Sequence, residues 1–542
     1  MVMPLANLLA RSKERYPDRR AFVMPGTALS YRDLWDRSMQ VACGIASLGI
    51  EPRAHVGILA NNSEELVSGL FGIWLADCVA VPISARNKAL ELRHVITDAD
   101  LAVVLTTARD TAHVNFPALL AQAFPDIGEA EDPARLSITS APGLRSIALL
   151  AGEAPSGFLK ADAFARQAKG ISFEQIELRR RSTRATDTAA ILYTSGTTSK
   201  PKGCMLCHEA LSRGPVERAN GRLRGQEHDV TWGGGPLFHI GSLGPFIGSV
   251  GTGGTYLADV AFDAGRALKL MYDEGVTIAW PWFPALMEPI LDHPEFDASR
   301  LERLSKALII APEPLVKRAQ EALPSVQFLQ ACGMTETAGI FALSDEADPP
   351  ADRARYQGRP VDGIETRIVD PETGADLADG QMGEILVRGY CVMNGYYKAP
   401  KKTAEALSAD GWLHTGDFYR RGKAGQLQFC GRIKDMLKVG GENVAALEIE
   451  AYLTTHSSVR VAQVIGMPDK RLVEVPVAFV ELNKGRELSE SELIRYCVGR
   501  IASFKVPRAI YFLRPDQWPM SLTKIDKRGL RQMLNELDEQ AR

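Results

Sequence analysis

Three short apolar runs in this chain each break directly into a polar loop, and that pattern restricts the fold more than any other feature. Residues 189–193 open into TSGTTSKPKG, residues 307–310 into APEP, and residues 326–329 into QACGMTET. A run of four or five mostly apolar residues bounded by turn formers reads as a buried strand. In open α/β sheets, ligands sit at the carboxyl ends of strands, so all three loops are expected to line one cleft. Upstream, residues 30–50 place Leu34, Val41, Ile45 and Leu48 at near-helical spacing, with Ser30 to cap the start and Gly49 to end it. A strand-like VGILA follows at residues 56–60. Helix–strand alternation of this kind predicts a mostly parallel sheet covered by helices.

The 542 residues exceed what one core holds, so two or more domains are expected. Composition changes near Gly431. Before it, residues 380–397 are turn-rich with strand-like alternation. After it, residues 431–453 run into a predicted helix beginning near Val444, and the remainder mixes strands such as VPVAFVEL with helices such as SESELIRYCVGRIASF. The boundaries are therefore set at 1–431 and 432–542, with a hinge at 431–435. The fold class is α/β: a large N-terminal domain of helix-covered mixed sheets plus a β-subdomain, then a small α+β domain.

A net charge of -3 argues against a surface built for nucleic acid. The first 20 residues lack the apolar core of a signal peptide, and no apolar run is long enough to span a bilayer. A cytoplasmic protein is the expectation, with peripheral membrane contact left open. The 8 cysteines show no regular spacing and read as reduced thiols. Cys204 and Cys207 form one CxxC. No second CxxC completes a zinc site, so chance spacing is the preferred reading over a metal or redox pair.

Residues 193–203, YTSGTTSKPKG, carry the strongest chemical signal. Glycines let backbone N–H groups converge on an anion, the Ser and Thr hydroxyls add donors, and Lys200 and Lys202 add positive charge. One lysine about 4 Å from a phosphate oxygen corresponds to roughly 4 kcal/mol at an effective dielectric of about 20, before desolvation. That is enough to orient a triphosphate. The segment does not fit the GxxxxGK[ST] pattern of P-loop ATPases. The competing reading is a polar surface loop, which so dense a run directly after a buried strand disfavours.

This segment closely resembles the phosphate loop of the adenylate-forming (ANL) enzymes, which include acyl- and aryl-CoA synthetases, adenylation domains and luciferases. The resemblance runs from PDRRAF and LSYRDL to KIDKRGLR, with several motifs in the family's order. It implies that Thr194, Ser195, Gly196, Thr197, Thr198 and Lys202 bind the phosphates of ATP. In GMTET it implies Thr335 on the α-phosphate and Glu336 as ligand to Mg²⁺, an ion that takes hard oxygen ligands and keeps phosphate oxygens. Without the resemblance, a Thr-Glu pair reads as a helix start. Ala311, Pro312, Cys332 and Gly333 fall at the adenine. Asp417, in WLHTGD, would accept from both ribose hydroxyls, with Arg432 nearby; an ionised carboxylate is acceptor-only and suits a diol. The plain alternative is a turn Asp beside Gly416. Lys524 matches the catalytic lysine of the adenylation step, where an ammonium stabilises transition-state charge; the alternative is a solvated lysine.

The resemblance also implies that the small domain moves. Lys434 falls at the pivot, Gly440 and Gly441 would face coenzyme A after rotation, and Lys438 would assist in that second state or else lie exposed. His239, in PLFHIGSL, falls beside the acid pocket, where amino-acid-activating relatives place an Asp; a half-buried structural His is the alternative. Gly241, Gly244, Gly248 and Gly251 either leave room for a bulky apolar acid or permit close helix packing, and Trp280 or Trp282 would add an aromatic wall. Three features depart from the pattern: Ile309 and Ile310 stand where a glycine pair is usual, Cys332 replaces an aromatic, and Thr523 replaces the glycine before Lys524 in a loop one residue short.

The function implied is an AMP-forming acyl-CoA synthetase of lipid metabolism. It would activate a fatty, aryl or polycyclic acid with ATP and Mg²⁺ and pass the acyl group to coenzyme A. Two rivals are an adenylating enzyme that loads a carrier protein and a degenerate member that binds without turnover. Dimers are common among such proteins, but oligomeric state is not legible here.

Overall fold

The computed structural model describes residues 2–109, 114–153, 155–194, 201–439, 442–469, 471–521 and 524–540. By packing, the chain divides into two compact units. One takes residues up to 354 with 358–365 and 387–413; the other takes 355–357, 366–386 and everything from 414 on.

Among the described residues, the first unit contains two seven-stranded sheets. One runs Gln327–Leu329, Lys306–Ile309, Ile278–Trp282, Val230–Gly233, Thr255–Leu257, Arg20–Met24 and Thr27–Ser30, parallel except for the last pair. The other runs Gly395–Tyr396, Lys202–Cys207, Thr188–Thr194, Val79–Pro82, His55–Leu59, Val103–Ala108 and Ser146–Gly152, with its first three strands antiparallel and the rest parallel. Parallel strands buried on both faces read as continuous apolar runs, and AAIL within the strand Thr188–Thr194 is buried throughout.

The helices Tyr31–Ser47, Glu64–Leu75, His208–Asn220 and Ile240–Thr252 fill the space between the sheets, sharing one core with Phe22 and Tyr256 of one and Ile58 and Leu105 of the other. Ala264–Glu274 and Glu313–Ala322 cover the outer face of the first sheet, and Ala89–Asp98 and Phe116–Ala123 that of the second. The helix expected after Ser30 forms as Tyr31–Ser47, with Ser30 and Asp33 bonding each other's backbone N–H in a capping box, and Gly49 turns the chain at φ +67°. The expected mixed α/β architecture is the one found.

In the second unit, a five-stranded sheet pairs Glu442–Ala445, Met436–Val439, Val473–Leu482 and Val459–Asp469, with Ala509–Phe512 parallel to Val473–Leu482. Strand alternation splits Val473–Leu482 between two cores. Ala478 and Val480 pack with the helices Ala446–Leu453 and Glu490–Cys497, while Val477 and Phe479 pack with Leu530 and Leu534 of the helix Lys527–Gln540. The helix expected near Val444 starts at Ala446 instead, because Val444 is used as a strand residue opposite Leu437. The strands Ile364–Val369, Met382–Gly389, Leu413–Arg421 and Leu427–Arg432 form a further sheet, most of whose residues belong to this unit. Among the described residues, no helix is long and apolar enough to cross a membrane.

Candidate active site

In the first unit, the three strand-to-loop segments are linked by side chains. Thr188–Thr194 pairs antiparallel with Lys202–Cys207, with Thr194 opposite Lys202, at the two ends of the glycine-rich segment. Ser195, Gly196, Thr197 and Thr198 lie outside the described residues, as does Lys200. Lys202 places its ammonium over the ring of Tyr396, 4.1 Å from the centroid. The Tyr396 hydroxyl donates to Oε1 of Glu336 at 2.8 Å. One phenol thus holds Lys202 by its face and the acid of GMTET by its oxygen. Burial and the Glu336 carboxylate push the Tyr396 phenol well above its ordinary range, so it stays a donor.

Glu336 lies in the single turn Thr335–Thr337 and is buried to 8% exposure. The turn is pinned by the Thr337 hydroxyl, which donates to Gly339 O at 2.7 Å, and by Met393 N, which donates to Glu336 O at 2.8 Å. Gly333 is required by close approach: a Cβ there would stand 2.5 Å from Gly339 O of the paired strand. Cys332 is buried in the same strand. Cys204 lies 3.5 Å from the Met393 sulfur, and Cys207 Sγ accepts from Ala210 N at the start of a helix.

Ala311 and Pro312 start the helix Glu313–Ala322. The strands before them and before Cys332 are neighbours, with Leu308 opposite Leu329. Gln330, fully buried, joins the two loops: its Oε1 accepts from Ala311 N at 3.3 Å while its Nε2 donates to Ala354 O at 2.7 Å. Sequence reasoning passed over both Gln330 and Tyr396.

His239 caps the helix Ile240–Thr252, its Nδ1 accepting from Gly241 N at 3.1 Å. A Cβ on Gly241 would meet that nitrogen at 3.1 Å and the Trp282 ring at 3.6 Å, so His239 and Trp282 flank one glycine. Trp282 has φ +55°, a conformation that strains a bulky residue, and its ring lies 5.0 Å from that of Trp280. The glycines divide between the two readings. Gly251 would clash with Val216, and Gly248 would press on Pro215 O at 3.1 Å, both helix-packing roles. At Gly244 the nearest atoms stand at 3.9 and 4.0 Å, leaving room. Gly244, Trp280 and Trp282 line one cavity.

In the second unit, Asp417 and Arg432 face each other across an antiparallel pair, with Arg432 Nε 3.1 Å from Asp417 Oδ1. Asp417 N donates to the Thr415 hydroxyl, and Gly416, at φ +70°, donates its N–H to Glu384. Lys434 sits in the turn Ile433–Asp435; burial first, then the Arg432 charge, hold its ammonium below the usual lysine range. Lys438 is exposed on the strand Met436–Val439, its backbone N–H donating to Glu474. Lys524 belongs to the short strand Lys524–Ile525, opposite Ser521. Gly440 and Gly441 lie outside the described residues.

Residues 9–397 match the AMP-binding enzyme family, and residues 448–524 match the AMP-binding enzyme C-terminal domain. The chain is 31% identical to the putative acyl-CoA synthetase YngI of Bacillus subtilis (strain 168), over 98% of this chain and 97% of that one. It is 32% identical to a 7a-methyl-1,5-dioxo-octahydro-1H-inden-4-yl propanoyl:CoA ligase of Mycobacterium tuberculosis, over 97% and 98%. Its fold matches the crystal structure of the anthranilate CoA ligase AuaEII in complex with anthranoyl-AMP, with a TM-score of 0.84, 25% identity, and coverage of 98% and 97%. A hairpin lysine and a buried glutamate sharing one tyrosine, within a fold matched from end to end, thus place this chain in the AMP-binding enzyme family as an ATP-dependent, AMP-forming acid–thiol ligase of the acyl-CoA synthetase kind.

Proposed function

We propose that this enzyme activates a hydrophobic carboxylic acid, fatty, aryl or polycyclic, as its acyl-adenylate and then transfers the acyl group to coenzyme A. The observation that carries the reading is Tyr396, whose ring bears Lys202 and whose hydroxyl holds Glu336. Glu336 suits Mg²⁺: it is a hard oxygen donor on a pinned turn, and its Oε2 makes no hydrogen bond among the described residues. Mg²⁺ takes few protein carboxylates and keeps phosphate oxygens, whose charge it neutralises when bound. Thr335 and the hairpin hydroxyls orient the phosphates, Ala311, Pro312, Cys332 and Gly333 receive the base, and Asp417 accepts from the ribose hydroxyls with Arg432 beside it.

In the first half-reaction, a carboxylate oxygen of the acid attacks the α-phosphorus of ATP and pyrophosphate leaves. Lys524 stabilises the charge that develops, and positioning supplies most of the rest. In the second, residues 432–542 turn about Lys434, Lys524 withdraws, and Lys438, Gly440 and Gly441 meet coenzyme A. Its thiolate then attacks the acyl carbon and AMP leaves. The acid occupies the cavity beside His239 and Trp282, where Gly244 leaves room and two indoles supply apolar surface.

The test is AMP release across acids of rising bulk, from acetate to long-chain, aryl and bicyclic acids, with coenzyme A or a phosphopantetheinylated carrier protein as acceptor. Turnover of the bulkier acids with coenzyme A is expected. Turnover confined to acetate or propionate overturns the substrate class, and turnover with the carrier alone overturns the acceptor.

A further inference from the structure

The cavity beside Trp282 is not purely apolar. Three of its lining side chains are buried polar groups with unused hydrogen-bonding capacity. Arg218, on the helix His208–Asn220, is 5% exposed, and no carboxylate lies within 4 Å of it among the described residues. One guanidinium N–H donates to Ile340 O at 2.9 Å; a guanidinium has five. Its Nη2 stands 3.9 Å from where a Cβ on Gly244 would lie. Ser249 and Trp282 line the same cavity, and the Ser249 hydroxyl and the Trp282 indole N–H are each buried with no hydrogen-bond partner among the described residues. Burial draws the Arg218 pKa down only to about 10, so the group remains cationic at neutral pH.

An unsatisfied buried donor costs about 1–3 kcal/mol, and an unpaired buried charge costs more. Each such group in a folded protein calls for a physical explanation. The kind of ligand follows from the donor set. Arginine and indole only donate, and serine can donate. Among the described residues, the one acid on the cavity wall is Asp229, which is engaged by the Thr277 hydroxyl and by Gln226 N. The wall therefore asks for an acceptor oxygen.

We propose that the acid activated here carries a second acceptor oxygen, a ketone or a second carboxylate, remote from the reacting carboxyl and bound by Arg218, Ser249 and Trp282. The inference rests on the reading of this cavity as the acid pocket. A site built to hydrogen-bond an oxygen rejects the analogue that lacks it far more strongly than an apolar pocket rejects a missing methylene.

The experiment compares three acids of one skeleton as substrates of the full-length enzyme: nonanoate, nonanoate with a ketone near its far end, and nonanedioate. At least one oxygenated acid is expected to exceed nonanoate about ten-fold or more in kcat/KM, and which one does so identifies the acceptor. Ser249→Ala and Arg218→Met are each expected to shrink that ratio. Ser249→Ala deletes only a hydroxyl, so it keeps the test open if Arg218→Met fails to fold. Equal or better use of nonanoate overturns the proposal, as does a ratio unchanged in Ser249→Ala and in folded Arg218→Met. Gly244→Leu separates this failure from that of the pocket assignment. If it leaves the kinetics of all three acids unchanged, the cavity is not the acid site and both readings fall. If it depresses them while oxygen confers no advantage, only the present inference falls.

Discussion

Replacing Tyr396 with Phe removes one oxygen from the point where Lys202 and the GMTET turn meet. The ring stays, so Lys202 keeps its aromatic platform 4.1 Å away. What is lost is the 2.8 Å hydrogen bond to Glu336, a carboxylate only 8% exposed. A hydrogen bond to a charged group is worth about 1.5–3 kcal/mol. If Glu336 acts only when held there, that energy appears in the transition state, and about 1.4 kcal/mol is ten-fold in rate. Tyr396→Phe should therefore slow acid-dependent exchange of pyrophosphate into ATP by about ten- to a hundred-fold and raise the Mg²⁺ concentration needed for half-maximal rate. Because burial and Glu336 keep the phenol protonated, the ratio of wild-type to variant rates should be flat across neutral pH. Tyr396→Leu, which also removes the cation–π contact, should be worse. Exchange within two-fold of wild type in Tyr396→Phe, with unchanged Mg²⁺ dependence, would refute the claim that this hydroxyl positions Glu336.

Three further outcomes are expected. His208 is buried and its pKa is pushed down to about 4 by desolvation, against 6.5 for an exposed histidine. The unfolded chain therefore binds the proton first, and stability falls as pH drops from 6.5 toward 4 by up to about 3 kcal/mol; urea titrations at several pH values should show that slope reduced in His208→Gln. Gly333→Ala forces a methyl against Gly339 O across two paired strands, which should cost about 1–3 kcal/mol and depress exchange by displacing the turn Thr335–Thr337; a variant with wild-type melting temperature and exchange would contradict the packing argument. Lys524→Ala should slow adenylate formation by about a hundred-fold or more while sparing thioester formation from pre-made acyl-adenylate; equal loss in both half-reactions would remove Lys524 from its assigned role.

Local signals were the legible ones. Ser30 announces a helix start, and AAILY announces its strand because it is a continuous apolar run. Glu336 was legible through its motif. Tyr396 was not, because its role depends on pairing with Lys202–Cys207, about 190 residues upstream, and GYY reads locally as turn chemistry. Gln330 was hidden for the same reason: its partners are backbone groups of other segments. The glycines of residues 241–251 show where pattern stops deciding. Their spacing suits both a pocket and a helix contact, and only the neighbours present at Gly244 and Gly251 tell the two apart. The helix expected to begin near Val444 starts at Ala446, because Val444 itself pairs with Leu437 in a strand.

The central claim is that the Lys202, Tyr396 and Glu336 cluster serves adenylate chemistry on a carboxylic acid. Acid-dependent exchange of labelled pyrophosphate into ATP, measured without coenzyme A, tests it most directly. The account predicts exchange that requires a hydrophobic acid and Mg²⁺, followed by stoichiometric AMP and thioester once coenzyme A is added. Absence of exchange across a broad acid panel, from protein that binds ATP, would contradict it.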